Sequence, residues 1–310
     1  MNPAIKMKRA GMPGKDAGTA VGKGTAPTKL SGYKGICIFD TCGSRAYNTL
    51  IAKKNTGGRK EKPMKRREND TFYSDTQINF FECDAFSEAR ASTLLKRLND
   101  FAGVDYTDRG YSHDYLWKNN MVFLVSRVSM NIIEPVLPDV PLTFATYERG
   151  TKGPLFYRDL FIADENGKTV VACKTAWILC DPVSRRILRP SAFEKKIGEH
   201  WDRVMDCAEP KRLTMRDDTE PVGSRRINYS DLDGNGHVNN GVYADIACDF
   251  LPYDLFEKKR VRELQINFQR EAKIGESMDV FASKKDGFAA VSGKVDGAVS
   301  FICELTFEDR

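Results

Sequence analysis

The chain has 310 residues, 41% of them hydrophobic, which suffices for one large domain or two small ones. No apolar run approaches the roughly 18 residues of a membrane-spanning helix, and the N-terminus lacks the apolar segment of a secretory signal. Net charge is +5, unevenly spread: residues 1–70 hold 16 Lys and Arg against 5 Asp and Glu, so a segment of net +11 precedes a body of net −6.

The basic segment 1–70 is rich in Gly, Lys and Ala, shows no sustained periodicity and reads as a disordered extension. A nucleic-acid or anionic-surface arm and an organelle transit peptide compete with a dispensable extension whose natural start is Met64. Transit peptides are Ser-rich, and only Ser31 and Ser44 occur here. The dispensable extension is preferred, and no nucleic-acid partner is expected. The eight cysteines are scattered, mostly in apolar runs (Cys83, Cys173, Cys180, Cys248, Cys303), as buried thiols of a reducing compartment are. Cys37 and Cys42 form an isolated pair without nearby histidines, short of a tetrahedral zinc set, so no metal is expected.

From Thr71 the chain reads as strand, helix and several strands, twice over. In the first copy Phe72–Cys83 is strand-like. Ser87 is the expected N-cap of a helix with Glu88 in its first turn. Ala91, Leu94, Leu95, Leu98 and Phe101 then recur at helical spacing, and Gly103 is the expected stop. Strands are expected near 116–134, 141–150, 154–164 and 168–181, with Asp164–Gly167 as a turn. A charged, partly helical linker covers 190–221. The second copy begins near 222, with Ile227 and Tyr229 on a short strand. A helix from about 240 carries Tyr243, Ile246, Ala247 and Phe250 on one face and ends at Pro252. Leu264, Ile266 and Phe268 alternate with polar residues, as do Val299, Phe301, Cys303, Leu305 and Phe307. The plan is α+β: two antiparallel sheets, each with a long helix, over 71–189 and 222–310.

The segment Asp231–Asn240 concentrates polar side chains before an apolar helix. Asp231, Asp233, Asn235 and Gly236 match the start of an EF-hand loop, but the position that requires a bidentate carboxylate is Val242, which cannot ligate. One helix cap explains part of the composition. The rest suits a reaction centre, since amides at a helix N-terminus polarise a carbonyl and stabilise an oxyanion. Asn235 and His237 would meet a substrate carbonyl there.

Residues Ser230 to Tyr243, reading SDLDGNGHVNNGVY, resemble the signature of the acyl-acyl carrier protein (acyl-ACP) thioesterases of bacteria and plant plastids. Glu263 to Ala272 resembles the same family's strand ending in Arg-Glu-Cys or Arg-Glu-Ala, and Phe81–Val104 and Tyr115–Arg127 resemble its N-terminal strand, helix and next strand. The resemblance covers about 71–310. It implies a tandem (double) hotdog fold, two curved antiparallel sheets each wrapped around a long helix, and hydrolysis of fatty acyl-ACP by an activated water. It implies a catalytic set of Asp233, Asn235, His237 and Glu271. Helix N-terminal amides near 239–241, with Asn239 and Asn240 as substrate-binding residues, are expected to complete the oxyanion site, and no cofactor is expected. The plant pattern has Cys after the Glu; Ala272 stands there, which removes a thiol nucleophile at that position.

The first copy has no His or Asn in its matching stretch, Glu82–Ser87, so one site per chain is expected. The acyl pocket then falls to the first copy, to residues such as Leu94, Leu98 and Trp117. His113 and His200 read as surface residues. Carrier protein is acidic, so its docking would draw on Lys195–Lys196, Arg225–Arg226 or Lys258–Arg262. An acyl-CoA thioesterase, a hotdog hydratase or dehydratase and a non-catalytic acyl-binding module are the alternatives. The implied setting is a bacterial cytoplasm, or a plastid stroma for a plant protein, as monomer or homodimer.

Overall fold

The computed structural model describes residues 64–193 and 200–310. Cys37, Cys42, Lys195 and Lys196 lie outside them, as does most of the basic segment. In chain order the elements are β1 (Lys65–Glu68), β2 (Thr71–Thr76), α1 (Ala91–Asp108), α2 (His113–Lys118), β3 (Val122–Ile132), β4 (Leu142–Lys152), β5 (Leu155–Ala163) and β6 (Thr169–Cys180). After the connecting segment come β7 (Glu220–Arg226), α3 (Asn240–Asp249), α4 (Tyr253–Lys258), β8 (Lys259–Phe268), β9 (Ser277–Lys285), β10 (Phe288–Val295) and β11 (Ala298–Asp309).

The strands form one antiparallel sheet in the order β1-β2-β4-β5-β6-β3-β8-β11-β10-β9-β7. Apart from β1, each half repeats the same internal order, with β2-β4-β5-β6-β3 answered by β7-β9-β10-β11-β8. The two sheets expected from the sequence are therefore one. They fuse where β3 pairs with β8 from Arg127↔Asn267 to Asn131↔Glu263. The alternation along β3 has a partner on each face. Val128, Met130 and Ile132 enter the core, while Asn131 donates to the Asp206 carbonyl at 2.9 Å. On β8, Asn267 accepts from the Leu213 amide at 2.8 Å and donates to the Lys211 carbonyl at 3.0 Å. Its connecting segment thus covers the far face of the seam and contains only a short 3-10 turn at Pro190–Ala192 among the described residues.

The core draws on both halves, joining Leu94, Leu95, Leu98 and Phe101 of α1 to Ile246 and Ala247 of α3 and to Leu264, Ile266 and Phe301 of the sheet. Phe101 stacks on Phe72 and meets Phe144 edge-on.

Several local expectations are corrected. The helix begins at Ala91 after Arg90, because Ser87 adopts a left-handed φ of 63° in a tight turn. Gly103 lies inside α1 rather than ending it. Residues 113–118 form a helix capped by Ser112, and the strand starts at Val122. Tyr229 sits in a 3-10 turn, Tyr229–Asp231, and Pro252 caps α4 as well as following α3. Strand β1 occupies part of the stretch read as disordered. It pairs with β2 through Asn69 and Asp70, both at left-handed φ as a two-residue hairpin requires.

Asp105 explains why β1 holds. This fully buried carboxylate is met by Arg158 at 2.6 Å, Arg67 of β1 at 2.7 Å and Arg109 at 3.0 Å. Burial would raise its pKa, but Arg158 and the other guanidiniums outweigh that and hold it below the usual carboxylate range. Replacing Asp105 with Ala is expected to cost about 3–5 kcal/mol in denaturant unfolding, since buried cations lose their counter-charge. With its folded pKa depressed, the Asp105 contribution is present above the unfolded value of about 4 and disappears as pH falls through the folded one. Unfolding curves for D105N should lack that part of the acid-side decline.

Candidate active site

The polar segment of the second copy is a built turn. Asn228 donates its amide to Asp231 at 2.8 Å, and Leu232 bridges to Val238. Inside the bridge the Asp233 amide donates to the His237 carbonyl at 2.8 Å. Its carboxylate Oδ1 accepts from the amides of Asn235 at 2.8 Å and His237 at 3.3 Å. Gly236 supplies the left-handed residue, at φ 77°.

The first copy repeats this turn bond for bond. Cys83 bridges to Ala89, the Asp84 amide donates to the Glu88 carbonyl, and Asp84 Oδ1 accepts from the amides of Phe86 at 2.9 Å and Glu88 at 3.0 Å. Both turns then hydrogen-bond to the same loop of their half, Ala89 to the Val136 carbonyl and Val238 to that of Ala272. The correspondence pairs Asp84 with Asp233, Phe86 with Asn235, Glu88 with His237 and Pro135 with Glu271. Because Asp84 makes the same backbone bonds without the polar partners, those bonds of Asp233 belong to the turn itself.

Only the second turn brings an imidazole to a carboxylate. His237 Nε2 lies 3.4 Å from Glu271 Oε2, both side chains about one-third exposed. Arg185 Nη1 reaches the same oxygen at 2.9 Å from the loop after β6. Asp181 Oδ1 folds that loop by accepting from the amides of Val183 and Ser184, and Arg185 itself has a left-handed φ of 56°. Tyr243 of α3 fixes the residue after Glu271, its hydroxyl accepting from the Ala272 amide at 3.2 Å. On the other side, Ser300 donates to the Arg270 carbonyl at 2.7 Å. Nothing in the sequence marks Arg185, Tyr243 or Ser300 as neighbours of Glu271, since each comes from a different element.

Helix α3 starts beside this pair. Asn239 is its N-cap, accepting from the Gly241 amide at 2.9 Å, and Asn240 is its first residue. Gly241 lets α3 approach α1, since a Cβ there would lie 2.8 Å from the Ser92 carbonyl oxygen and 2.3 Å from Lys96 Cγ. Lys96 and Asp245 pair across the same contact at 2.9 Å.

A cleft of about 360 Å³ runs along α1 past Asn99, Gly103 and Tyr106, with Phe123, Phe156 and Trp177 opposite and Asn235 on its edge. Arg158 and Glu148, paired at 3.0 Å, also border it. Gly103 has no neighbour within 4 Å of where a Cβ would stand. Asn99 has both its amide nitrogen and oxygen buried without a hydrogen-bond partner among the described residues, a condition that costs about 1–3 kcal/mol per group. A larger cleft of about 540 Å³ surrounds the first turn, but there Arg310 pairs with Glu88 at 2.8 Å and Asp84 at 3.2 Å and lies over the Phe86 ring. Chemistry, rather than size, distinguishes the smaller cleft.

The remaining predicted residues fall elsewhere. Leu94 and Leu98 are fully buried in the core and line neither cleft. Trp117 is 53% exposed and stacks on His113, while its neighbour Leu116 borders the small cleft. His113 borders that cleft as well, and His200 contacts Asp70 at 3.3 Å. Among the basic clusters, Arg225 pairs with Asp231, Lys259 with Asp309 and Arg260 with Glu308, so the chain's own carboxylates engage them. No group of metal-ligating side chains is present among the described residues, and none of their helices is long and apolar enough to cross a membrane.

Two family descriptions match the chain in tandem, the acyl-ACP thioesterase N-terminal domain over residues 69–192 and its C-terminal domain over 216–299. The chain belongs to the acyl-ACP thioesterase family. Among curated members, the chloroplastic palmitoyl-acyl carrier protein thioesterase of Arabidopsis thaliana is 23% identical over 243 residues, 73% of this chain and 58% of that one. A chloroplastic acyl-[acyl-carrier-protein] hydrolase of Cuphea viscosissima is 22% identical over 64% of this chain and 52% of its own length. The chain thus spans little more than half of these relatives. Among solved structures, an acyl-ACP thioesterase from Bacteroides thetaiotaomicron superposes with a TM-score of 0.70 at 22% identity, covering 77% of this chain and 98% of that one. The 12:0-ACP thioesterase from Umbellularia californica does so at 0.67 and 15%, covering 79% and 100%. These likenesses establish the fold. In this member of the family the contact at Gly241 holds the two helices together beside His237 and Glu271. Gly241→Ala should cost about 1–3 kcal/mol in chemical unfolding, because the clash includes backbone.

Proposed function

We propose that this chain hydrolyses fatty acyl-ACP thioesters to free fatty acid and the carrier's thiol. The observation that carries the reading is the His237–Glu271 contact of 3.4 Å beside the N-terminus of α3, on the turn whose Asn235 borders the cleft along α1. The fused, repeated sheet and its two core helices are then a double hotdog, with an N-terminal unit over 71–189 that houses the acyl chain and a C-terminal unit over 222–310 that carries the chemistry.

In this mechanism Glu271, steered by His237 and Arg185, takes a proton from water as the water oxygen bonds to the thioester carbon. Charge develops on the carbonyl oxygen, which faces Asn235 and the Asn240 amide at the start of α3; the Asn239 amide is already given to the Asp231 carbonyl at 2.9 Å. Collapse breaks the carbon–sulfur bond, and the departing thiolate takes the proton back through Glu271 or His237. Asp233 holds the turn that aims Asn235 and His237. A thiol nucleophile is a poor alternative: Ala272 has none, and burial raises the pKa of nearby Cys180, with the Glu271 charge adding to it.

The acyl chain would lie along α1, against Gly103, Tyr106, Phe123, Phe156 and Trp177, in place of Leu94, Leu98 and Trp117. Incubation with a series of acyl-ACPs and matched acyl-CoAs, followed by analysis of the released fatty acids, tests the reading; faster turnover of the CoA series would assign the acyl-CoA alternative. Glu271→Gln and His237→Ala should each lower turnover at least about a hundredfold. Gly103→Leu fills the open space on α1, so its products should shift to shorter chains. Its melting temperature should not fall, because a helix-interior glycine costs about 1 kcal/mol relative to alanine.

A further inference from the structure

Asn99 is a buried carboxamide whose donor and acceptor are both idle. Buried polar groups in folded proteins are almost always paired, so an orphan of this kind calls for a reason. It stands on α1, in the first half of the chain, yet it borders the cleft that Asn235 of the second half also borders. Asp100 beside it is close enough to feel the charge of Asp233, which sets this turn of α1 against the turn that carries His237. Along the same helix Gly103 and Tyr106 continue the wall toward the aromatic end of the cleft. Asn99 therefore stands in the cleft that α1 shares with Asn235 of the His237-bearing turn, together with Phe123, Phe156 and Trp177.

The internal repeat provides a comparison. Counted from the two helix caps, Arg90 and Asn239, the residue of α3 equivalent to Asn99 is Cys248. It borders the larger cleft, beside Phe86 and Glu88. Burial, with help from Asp245 and Asp249, pushes its thiol up to about 12, so it packs there as a small neutral group. The carboxamide occurs in the cleft whose turn has the histidine, and an inert thiol in the cleft whose turn lacks it.

We propose that Asn99 is a further substrate-binding group of the thioesterase site: Nδ2 donates to the thioester carbonyl oxygen, and Oδ1 accepts a proton of the attacking water. The inference rests on the hydrolytic reading given above. The two idle atoms match the two reacting species, since a thioester carbonyl only accepts and the water must donate. The carboxamide is out of solvent contact, so this role requires a side-chain rotation into the cleft, which pairing of its two idle atoms would favour. An unsatisfied group kept for binding lowers stability while serving function, and removing it should separate the two.

The test uses Asn99→Leu, close in volume and without polar atoms, in the full chain. Three quantities are read: kcat on acyl-ACP, the melting temperature, and the affinity for two uncleavable S-acyl-pantetheine analogues. One analogue keeps the carbonyl as a ketone and the other is the thioether without it. Wild type should bind the ketone about tenfold more tightly than the thioether, the worth of one good hydrogen bond. The variant should bind the two alike and lose about a hundredfold in kcat, as removal of an oxyanion donor does. Its melting temperature should hold or rise. A variant that keeps wild-type kcat, or keeps the ketone preference, overturns the proposal, as does one whose activity falls only together with its melting temperature. If wild type cleaves no acyl thioester yet shows an Asn99-dependent ketone preference, the binding site stands and the hydrolytic reading fails.

Discussion

The pairing of β3 with β8 is the constraint from which the rest of the architecture follows. Apart from β1, each half of the chain has the same strand order. Joining them through five residue pairs, Arg127↔Asn267 to Asn131↔Glu263, fixes how far apart the two helices stand. Helix α1 then meets α3 closely enough that Gly241 has no room for a Cβ. It also forces the candidate site to be composite: His237 and Glu271 come from the second half, Arg185 from the loop after β6, and the cleft wall from α1. The segment between the halves reinforces the seam through Asn131 and Asn267, which take its backbone in place of water.

Two buried electrostatic arrangements divide the work beneath this frame. Asp105 gathers three guanidiniums and stays ionised, tying β1 and β5 to α1. Asp159, one strand position from Arg158, goes the other way. Burial raises its pKa to about 6, with Arg149 and the Tyr147 hydroxyl only partly opposing. The difference is the number of cations in direct contact, since Arg149 approaches Asp159 no closer than 3.7 Å. Arg158 thus anchors the cleft wall to a charged cluster on α1 and keeps a rigid polar border beside the aromatic groove.

Much of the fold was legible because alternation and helical spacing are local properties. Strands β4, β5, β6 and β11, the turn at Asp164–Gly167 and the helix behind Asn239 lie within a few residues of where the pattern put them. The misreadings share a cause. Ser87 has the composition of a helix cap, but Asp84 and the Cys83–Ala89 bridge make a tight turn of it. Gly103 looks like a helix stop until the cleft beside it is known. Strand β1 depends on Arg67 finding Asp105 far along the chain. The turn around His237 was legible as a motif, whereas Arg185 meets Glu271 across 86 residues of sequence and no local pattern announces it. Leu94 and Leu98 show the converse limit: apolar spacing cannot say whether a side chain faces a core or a groove.

The first turn, with Glu88 and Arg310, has a meaning beyond its lack of a histidine. A duplicated loop relieved of chemistry keeps its shape, its Asp-anchored turn and its place at the start of a helix. Here its carboxylates grip a guanidinium from the end of β11, a contact that spans 226 residues of sequence. The turn that opens the first helix and the end of the closing strand of the other half are thereby buckled together. The turn that carries the His237–Glu271 contact in one copy serves as a clasp in the other, so the same backbone device joins the two halves of the chain at a second point.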